Sequence, residues 1–182
     1  LFIIMRIAVT GGNGLVGSSI KAIVHQYPEH EFVFLKRSDC ELASRMAVMT
    51  FFSGGHNRFD CIIHLAAKSG GIGMSRKFQA TMLRDISLMN IAVLESARLN
   101  KIKKTIMTLT TGMYPPEAPL PLKEEYIHLG EPHESNYGSS YAKRIIDPMI
   151  KSYRQEFDLN IIGLIPSGIF GENDNFNLED AP

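Results

Sequence analysis

Three glycines at regular spacing are the residues of this chain best suited to hold a phosphate. Gly11, Gly14 and Gly17 lie between an apolar run, 7–9, and a stretch whose apolar residues recur at helical spacing, 18–24. Gly11 can adopt the angles of a tight turn, Gly14 lets the main chain approach a pyrophosphate, and Gly17 lets the helix pack against the strand. The pattern predicts a dinucleotide-binding loop, with an ordinary glycine-rich turn as the alternative. The other residues assigned to this loop are Gly12, Asn13, Leu15 and Val16.

Two cations follow the second apolar run of the chain. Lys36 and Arg37 come directly after the predicted strand 31–35. A site that prefers NAD usually has an acidic residue here, which accepts a hydrogen bond from the ribose 2′-hydroxyl. A cationic pair could hold a 2′-phosphate instead, so the predicted cofactor is NADP. The alternative is a solvated basic loop.

The elements that must position these residues alternate between strands and helices. Apolar runs and helical periodicity predict strands over 7–9, 31–35, 61–65, 105–109 and 160–165, and helices over 18–24, 45–52, 86–99 and 141–157. Pro148 is expected to kink or break the last helix, and residues 114–133 are expected to be irregular. Alternating strands and helices imply right-handed βαβ units. The predicted fold is therefore an α/β, Rossmann-type doubly wound parallel sheet.

The third predicted strand ends in small residues. Ala66 and Ala67 follow it and leave room for a ligand at the carboxyl edge of the sheet, where open α/β folds bind their ligands. His64 lies inside the apolar run, so it is interpreted as a packed, hydrogen-bonded core histidine rather than a catalytic one. The segment 70–73 is predicted to be a flexible loop over the same edge.

The composition excludes several classes of function. The chain has 182 residues, 45% of them hydrophobic, with zero net charge, so nothing favours nucleic acid as a partner. No apolar run approaches the ~20 residues that cross a bilayer, so no membrane span is expected. Two isolated cysteines, Cys40 and Cys61, have no metal-binding spacing and suit a reducing, cytoplasmic location. The first residue is not methionine, whereas Met5-Arg6 would make a natural start, which is the pattern expected of a fragment.

Four stretches together are more specific than a generic nucleotide fold: TGGNGLVG at 10–17, HLAAKSGG at 64–71, YAKRIID at 141–147 and FGENDNFN at 170–177. In this order and spacing they resemble the extended short-chain dehydrogenase/reductases, and within them the GDP-L-fucose synthase subfamily. The resemblance runs from Met5 to about Asp180. It implies NADP-dependent epimerisation and reduction of a GDP-sugar, GDP-4-keto-6-deoxy-mannose. Another nucleotide-sugar reductase of the same family remains an alternative.

The resemblance also implies site residues. Lys143 matches the family's lysine, Thr110 stands at the position of its serine, and Ser139 at the position of its tyrosine, four residues before the lysine. Four residues place two side chains on one helix face, which Tyr141 and Tyr137 do not share with Lys143. A serine hydroxyl is a poor proton donor to an alkoxide, and loss of a positioned acid typically costs about 10²–10⁴-fold in rate. The resemblance adds two residues to the cofactor-binding set, Pro166 and Ile169.

Further positions depart from the family's pattern. Gly112 stands where the family has a proton-shuttling cysteine, and Gly168 where it has an asparagine. The family's histidine would follow Asp180, where this sequence continues only as Ala181-Pro182. We therefore expect residues 1–182 to form one NADP-binding domain, with 171–182 beginning the connection to a substrate domain that the sequence does not contain.

Two hypotheses follow. The chain is a GDP-L-fucose synthase-like NADP enzyme with impaired activity, or a non-catalytic NADP-binding module. The predicted helices 86–99 and 141–157 carry enough apolar residues for a homodimer contact, although packing on the sheet alone would explain them equally well.

Overall fold

Five parallel strands form a single sheet. The computed structural model describes residues 4–68, 70–171 and 174. The sheet has the order β2-β1-β3-β4-β5, so the chain moves outward in one direction and then crosses to the other side of β1. The strands are β1 (Arg6–Thr10), β2 (Glu31–Leu35), β3 (Cys61–His64), β4 (Lys104–Thr108) and β5 (Ile161–Leu164). The predicted strands and the doubly wound parallel sheet are confirmed, with strand ends shifted by one residue at most sites.

In the part of the chain that the structure describes, six α-helices connect the strands. They are α1 (Leu15–Ile23), α2 (Arg45–Ser53), α3 (Ile72–Lys77), α4 (Gln79–Leu99), α5 (Tyr137–Arg144) and α6 (Ile146–Phe157). The connection between β4 and α5 is irregular apart from short 3₁₀ turns, as the prolines predict. Among the described residues, no helix combines the length and apolar character that crossing a membrane requires.

The central strands β1 and β3 are buried on both faces, which explains their continuous apolar sequences, whereas the edge strands β2 and β5 are more exposed. Successive side chains of a strand point to opposite faces of the sheet. Ala8 and Ile62 accordingly pack in the main core with α2 and α4, whereas Ile7, Val9 and Cys61 pack in a second cluster on the other side. Helices on both faces of a parallel sheet define the doubly wound architecture, and this brings the carboxyl ends of β1 and β3 together.

The predicted flexible loop over 70–73 is wrong in part, because α3 begins at Ile72. Met74 on this helix packs against Met82 and Ile86 of α4 and Ala142 of α5. This packing outweighs the low helix propensity of Gly73. Helix α4 begins at Gln79, seven residues before the predicted start.

The predicted break in the last long helix is confirmed, but it lies at Ile145 rather than at Pro148. Pro148 is the third residue of α6, where helical N–H groups have no intrahelical partner, so a proline is tolerated there. The preceding helix ends at Arg144, whose carbonyl would need the N–H that Pro148 lacks. Of the predicted polar tail 171–182, only Gly171 and Asp174 lie within the described residues.

Candidate functional site

A cleft of about 520 Å³ opens at the carboxyl ends of β1, β2 and β3. The chain leaves β1 toward β2 on one side and reaches β3 on the other, so the cleft lies at the point where the strand order reverses. Open α/β sheets bind ligands at such a switch point. The cleft is lined by the turn after β1, the loop after β2, the segment after β3, and two residues of α4, Asp85 and Met89.

The turn after β1 brings backbone atoms too close to Gly11 and Gly17 for a side chain at either position. Gly11 has φ +70°, and a Cβ there would lie 2.8 Å from the backbone nitrogen of Ala66. A Cβ on Gly17 would lie 2.6 Å from the carbonyl oxygen of Gly11, because α1 begins directly against the turn. Gly14 differs, since a Cβ there would meet only the Gly11 carbonyl oxygen, at 3.3 Å. Gly14 lines the cleft. Its missing side chain therefore leaves space for a ligand, whereas Gly11 and Gly17 are needed for the packing of the backbone.

The N-terminus of α1 opens into this cleft. Gly14 is its N-cap and has no side chain to accept a hydrogen bond from the first turn, and that turn contains no acidic residue. Leu15, Val16 and Gly17, the residues of this first turn, all line the cleft. Unpaired amides and the positive end of the helix dipole favour an anion. The Asn13 side chain turns away to accept a hydrogen bond from Lys21, at 2.8 Å.

The loop after β2 brings two cations to the opposite rim. Lys36 and Arg37 both line the cleft. The Arg37 guanidinium donates to Glu41 at 2.7 Å, which lowers the pKa of the Glu41 carboxyl, and Ala43 donates its N–H to the same carboxylate at 3.2 Å. The Lys36 backbone N–H donates to Asp39 at 2.7 Å. The carboxylates of Asp39 and Glu41 therefore hold the conformation of this loop, and Glu41 partly neutralises the charge of Arg37.

A buried hydrogen-bonded chain lies beneath the floor of the cleft. The Thr10 hydroxyl oxygen accepts the N–H of Ala66 at 3.3 Å and lies 2.8 Å from Nδ1 of His64. Nε2 of His64 lies 3.1 Å from Oδ1 of Asn90 on α4, and Nδ2 of Asn90 donates to the Ala142 carbonyl on α5 at 2.9 Å. Because Oδ1 of Asn90 can only accept, Nε2 of His64 carries the proton and Nδ1 accepts from Thr10.

His64 is fully buried, and the core role that the sequence predicts for it is confirmed. Burial lowers the pKa of His64 to about 3, and the nearby Lys143 ammonium contributes in the same direction. The imidazole is therefore neutral at physiological pH. It joins two strands and a helix rather than facing the cleft.

Helix α5 carries the lysine and the serine that the resemblance singles out. Lys143 is 8% exposed and donates from Nζ to the carbonyl of Thr108, at 2.7 Å, and Thr108 lines the cleft. Burial lowers the pKa of Lys143 to about 8. The Ser139 hydroxyl donates to the carbonyl of Asn136, at 3.0 Å, within its own helical turn. Tyr137 is the first residue of α5, and its ring contacts that of Tyr141 with 4.7 Å between ring centroids.

Polar groups surround Gly112 in the short turn after β4. A Cβ on Gly112 would lie 2.7 Å from Nδ2 of Asn136, 3.5 Å from Oγ of Ser140 and 3.6 Å from Oγ1 of Thr110. Thr110 accepts the N–H of Gly112 at 3.3 Å. The structure thus brings the end of β4 against the first turns of α5, and Asn136 occupies part of the space that a side chain at position 112 would need.

Most residues of the predicted cofactor set line one cleft: Gly11, Asn13, Gly14, Leu15, Val16, Gly17, Lys36, Arg37, Ala66 and Ala67. Gly12 is not among the lining residues, because it packs over Phe34, to whose Cβ a Gly12 Cβ would come within 2.7 Å. Lys143, Pro166 and Ile169 are not among them either, although Lys143 reaches the cleft wall through Thr108.

The sequence reasoning missed other lining residues: Leu35, Cys40, Glu41, Leu42, Ala43, Leu65, Lys68, Asp85, Met89 and Thr108. Lys68 and Asp85 form an ion pair at 2.9 Å. Only the residues that directly follow β2 and β3 could have been found from their place after a predicted strand. Asp85 and Met89 could not, because a helical pattern does not say which face meets the cleft.

Comparison with known proteins identifies the chain's relatives. The model of the NAD dependent epimerase/dehydratase family matches residues 7–181. GDP-L-fucose synthase of Dictyostelium discoideum is 35% identical over 96% of this chain and 55% of its own length. A probable GDP-L-fucose synthase of Drosophila melanogaster is 36% identical over 96% of this chain and 54% of its own length. The chain therefore spans about half the length of the curated relatives it matches.

A solved structure with the same architecture contains a dinucleotide. It is a GDP-L-fucose synthetase from Naegleria fowleri bound to NADP, which is 33% identical and superimposes with a TM-score of 0.82. The similarity covers 96% of this chain and 53% of that protein.

Proposed function

This chain belongs to the NAD dependent epimerase/dehydratase family, and we propose that it binds NADP as the nucleotide-binding part of a GDP-sugar epimerase/reductase. The observation that carries the proposal is the open N-terminus of α1 at the cleft, where Gly14 leaves both space and unpaired amides. The relatives from Dictyostelium discoideum and Drosophila melanogaster are named as GDP-L-fucose synthases, which makes a GDP-4-keto-6-deoxy sugar the proposed substrate class.

The proposed orientation of the dinucleotide follows from charge. The pyrophosphate lies against the first-turn amides of α1, and the 2′-phosphate lies by Lys36 and Arg37 at the other rim. Ala66 and Ala67 leave room for the dinucleotide over the carboxyl ends of the strands. The nicotinamide ribose then extends toward Thr108, where the buried Lys143 amine is available to hold it. Pro166 and Ile169 follow β5 and complete the proposed cofactor-binding set.

The proposed chemistry concerns the end of β4 and helix α5. NADPH, when bound, supplies a hydride to a ketone, and the developing oxyanion needs hydrogen-bond donors. Thr110 is proposed to donate one such bond, with Ser139 at the second position and Lys143 supplying positive charge nearby. Gly112 offers no side chain for moving a proton at a neighbouring carbon, so epimerisation is expected to be weaker than reduction.

One observation favours a second function, a non-catalytic NADP-binding module. The Ser139 hydroxyl, which is shorter than a tyrosine and far less acidic, is already committed to the Asn136 carbonyl. The same segment would then retain cofactor binding, since the glycine turn and the basic rim are intact, while its chemistry is lost.

A second copy of the chain is the proposed protein partner. Helix α4 exposes Leu83, Leu88 and Ile91, and the junction between α5 and α6 exposes Ile145. Exposed apolar side chains on adjacent helices favour association. A cytoplasmic location is proposed because Cys40 and Cys61 are both buried and unpaired, as in a reducing compartment.

Titration with NADPH, followed by nicotinamide fluorescence, tests the binding proposal. Saturable binding is expected for the wild-type chain. Gly14→Ala should weaken it about 10- to 100-fold, because the added methyl would keep the pyrophosphate from the first-turn amides and cost about one hydrogen bond to a charged group, while thermal unfolding should change little. Gly55→Ala is the matched control, because a Cβ there meets nothing within 4 Å and lies outside the cleft. A wild-type chain without saturable binding would contradict the proposal.

A turnover assay separates the two functions. Purified chain is mixed with NADPH and GDP-4-keto-6-deoxy-mannose, and absorbance at the nicotinamide band is followed. Steady consumption that is lost in Lys143→Ala supports an enzyme. NADPH binding without any consumption supports the non-catalytic module.

A further inference from the structure

Helix α5, which carries Ser139 and Lys143, is held at both ends by carboxamide side chains of one neighbouring helix. Gln79 is the first residue of α4, and Asn90 lies eleven residues further along it. Eleven residues are close to three helical turns, so the two side chains lie on one face of α4, about 16 Å apart. Both reach backbone groups of α5 or of the turn that leads into it.

At the N-terminal end, Gln79 forms two hydrogen bonds. Its Oε1 accepts the N–H of Gly138 at 2.6 Å, and its Nε2 donates to the Glu134 carbonyl at 2.7 Å. First-turn N–H groups such as that of Gly138 have no intrahelical partner. Position 138 must be glycine for this contact, because a Cβ there would overlap the carbonyl oxygen of Gln79.

At the C-terminal end, Asn90 donates to the Ala142 carbonyl at 2.9 Å. Ala142 lies in the last turn of α5, since the helix ends at Arg144 and the chain turns into α6. Carbonyls of a last turn need donors from outside the helix. His64 orients the amide by donating to its Oδ1, at 3.1 Å, so the carboxamide cannot turn over without losing both bonds.

We infer that Gln79 and Asn90 are positioning residues, which fix α5 along its length and thereby hold the Lys143 amine at the Thr108 carbonyl beside the cleft. The expected effect on ligand binding rests on the proposed function, in which Lys143 contacts the nicotinamide half of NADP. Neither carboxamide lines the cleft, and neither touches the adenine half of the proposed ligand. Their loss should therefore affect one half of the dinucleotide and not the other.

The test compares two ligands on four proteins. NADPH spans the whole proposed site, whereas adenosine 2′,5′-bisphosphate reaches only the end with Lys36 and Arg37. In Gln79→Ala and Asn90→Ala, affinity for NADPH should fall about fivefold to tenfold, as expected when the displaced Lys143 amine loses one hydrogen bond to the nicotinamide ribose. Affinity for adenosine 2′,5′-bisphosphate should stay within about twofold. Asn100→Ala is the matched control, because it removes a carboxamide just beyond α4 that bonds only to Ser96.

A second readout does not depend on ligand binding. Reductive methylation followed by peptide mass mapping reports the accessibility of each lysine amine. Lys143 is nearly buried in the wild-type chain and should react slowly, whereas Gln79→Ala and Asn90→Ala should raise its rate relative to Lys68. Asn100→Ala should leave that ratio unchanged. Gln79 is only partly buried, whereas Asn90 is fully buried, so Gln79→Ala is expected to fold even if Asn90→Ala does not.

The outcomes distinguish the two proposals. If the wild-type chain binds neither ligand, the proposed function fails, yet a raised methylation rate of Lys143 would still support the positioning role. If Gln79→Ala changes neither the methylation of Lys143 nor the affinity for NADPH, the positioning role is wrong. An equal loss of affinity for both ligands would also overturn it, because it would indicate a general effect on the fold.

Discussion

Thr10 and His64 face each other in register across β1 and β3, and a hydrogen bond of 2.8 Å joins the Thr10 hydroxyl to Nδ1 of the imidazole. The pair lies at the carboxyl ends of both strands, where their backbones diverge around the cleft. The same hydroxyl oxygen accepts the Ala66 N–H, so a single threonine ties β1 to the segment that follows β3. This arrangement requires a neutral imidazole, which has consequences for stability.

The first prediction concerns pH. The pKa of His64 is about 3 in the folded chain and about 6.5 when the chain unfolds, so between these values the unfolded state binds a proton that the folded state does not. The free energy of unfolding should therefore fall as pH falls, by up to about 1.4 kcal/mol per pH unit, which amounts to about 1.6 kcal/mol from pH 6.5 to 5.0 because the slope is only half of its maximum at pH 6.5. Urea unfolding at these two pH values measures it.

Two histidine variants test this prediction, with His64→Gln as the test and His25→Gln as the control. His64→Gln should be less stable at neutral pH but should show a flatter dependence between pH 6.5 and 5.0. His25→Gln, at an exposed position, should keep the wild-type dependence. The carboxyls of Asp60 and Asp85 also have lowered pKa values, but their effect on stability belongs to more acidic solution. A wild-type slope in His64→Gln would contradict the assignment.

The second prediction concerns the close approach of α1 to the turn before it. Gly17→Ala should lower the free energy of unfolding by about 2 kcal/mol, because its Cβ would meet backbone atoms of Gly11 and Gly12 that cannot move aside cheaply. Gly55→Ala, with open space around its Cβ, should stay within about 0.5 kcal/mol of the wild-type chain. Urea unfolding of both variants measures the difference, and equal stability would show that the turn relaxes.

The third prediction concerns cofactor preference and rests on the proposed function. Lys36→Ala should weaken NADPH binding about tenfold and leave NADH binding unchanged, since one charge-assisted contact to the 2′-phosphate is lost. Arg37→Ala should have a smaller effect, because Glu41 already neutralises part of the guanidinium charge. Parallel fluorescence titrations with the two nucleotides measure the ratio. Equal affinity of the wild-type chain for NADPH and NADH would show that neither Lys36 nor Arg37 binds the 2′-phosphate.

The fourth prediction concerns Arg144, a nearly buried arginine on α5. Its guanidinium donates to the Gly130 carbonyl at 2.7 Å and to the carbonyl of Met113, and it stacks on the ring of Tyr141. Arg144→Ala should cost about 2 kcal/mol of unfolding free energy, because the buried carbonyl of Met113 and the more exposed carbonyl of Gly130 both lose their donor. The exposed Arg154→Ala is the control.

Limited proteolysis adds a local readout for the same prediction. In Arg144→Ala, cleavage between residues 114 and 133 should increase, since Arg144 ties both ends of that connection to α5. If stability fell without any change in cleavage, the arginine would stabilise the helix rather than the connection.

Most of the sheet and much of the cleft could be predicted from short segments of the sequence. Continuous apolar runs identify buried parallel strands, and glycines directly after β1 mark a turn that excludes side chains, so both were predictable from short segments. The core role of His64 was predictable for the same reason, because an ionisable residue inside an apolar strand is buried with it. Pro148 signalled a helix break, though not the residue at which it falls.

Other features depended on contacts between distant segments. Helix α3 forms although its sequence contains glycine, because Met74 finds partners on α4 and α5. Asp85 and Met89 line the cleft, and Gln79 and Asn90 hold α5, only because α4 packs against both the core and α5 in one particular orientation about its axis.

The sequence by itself therefore determined the order of the strands and helices, the turn that opens α1 and the residue types at the chemical positions. The tertiary structure alone decided which of those residues share a cleft and which commit their polar atoms elsewhere, as Ser139 does with Asn136. The physical reason is that propensity and periodicity act over a few residues, whereas a buried hydrogen bond needs a donor and an acceptor that folding brings together from distant parts of the chain.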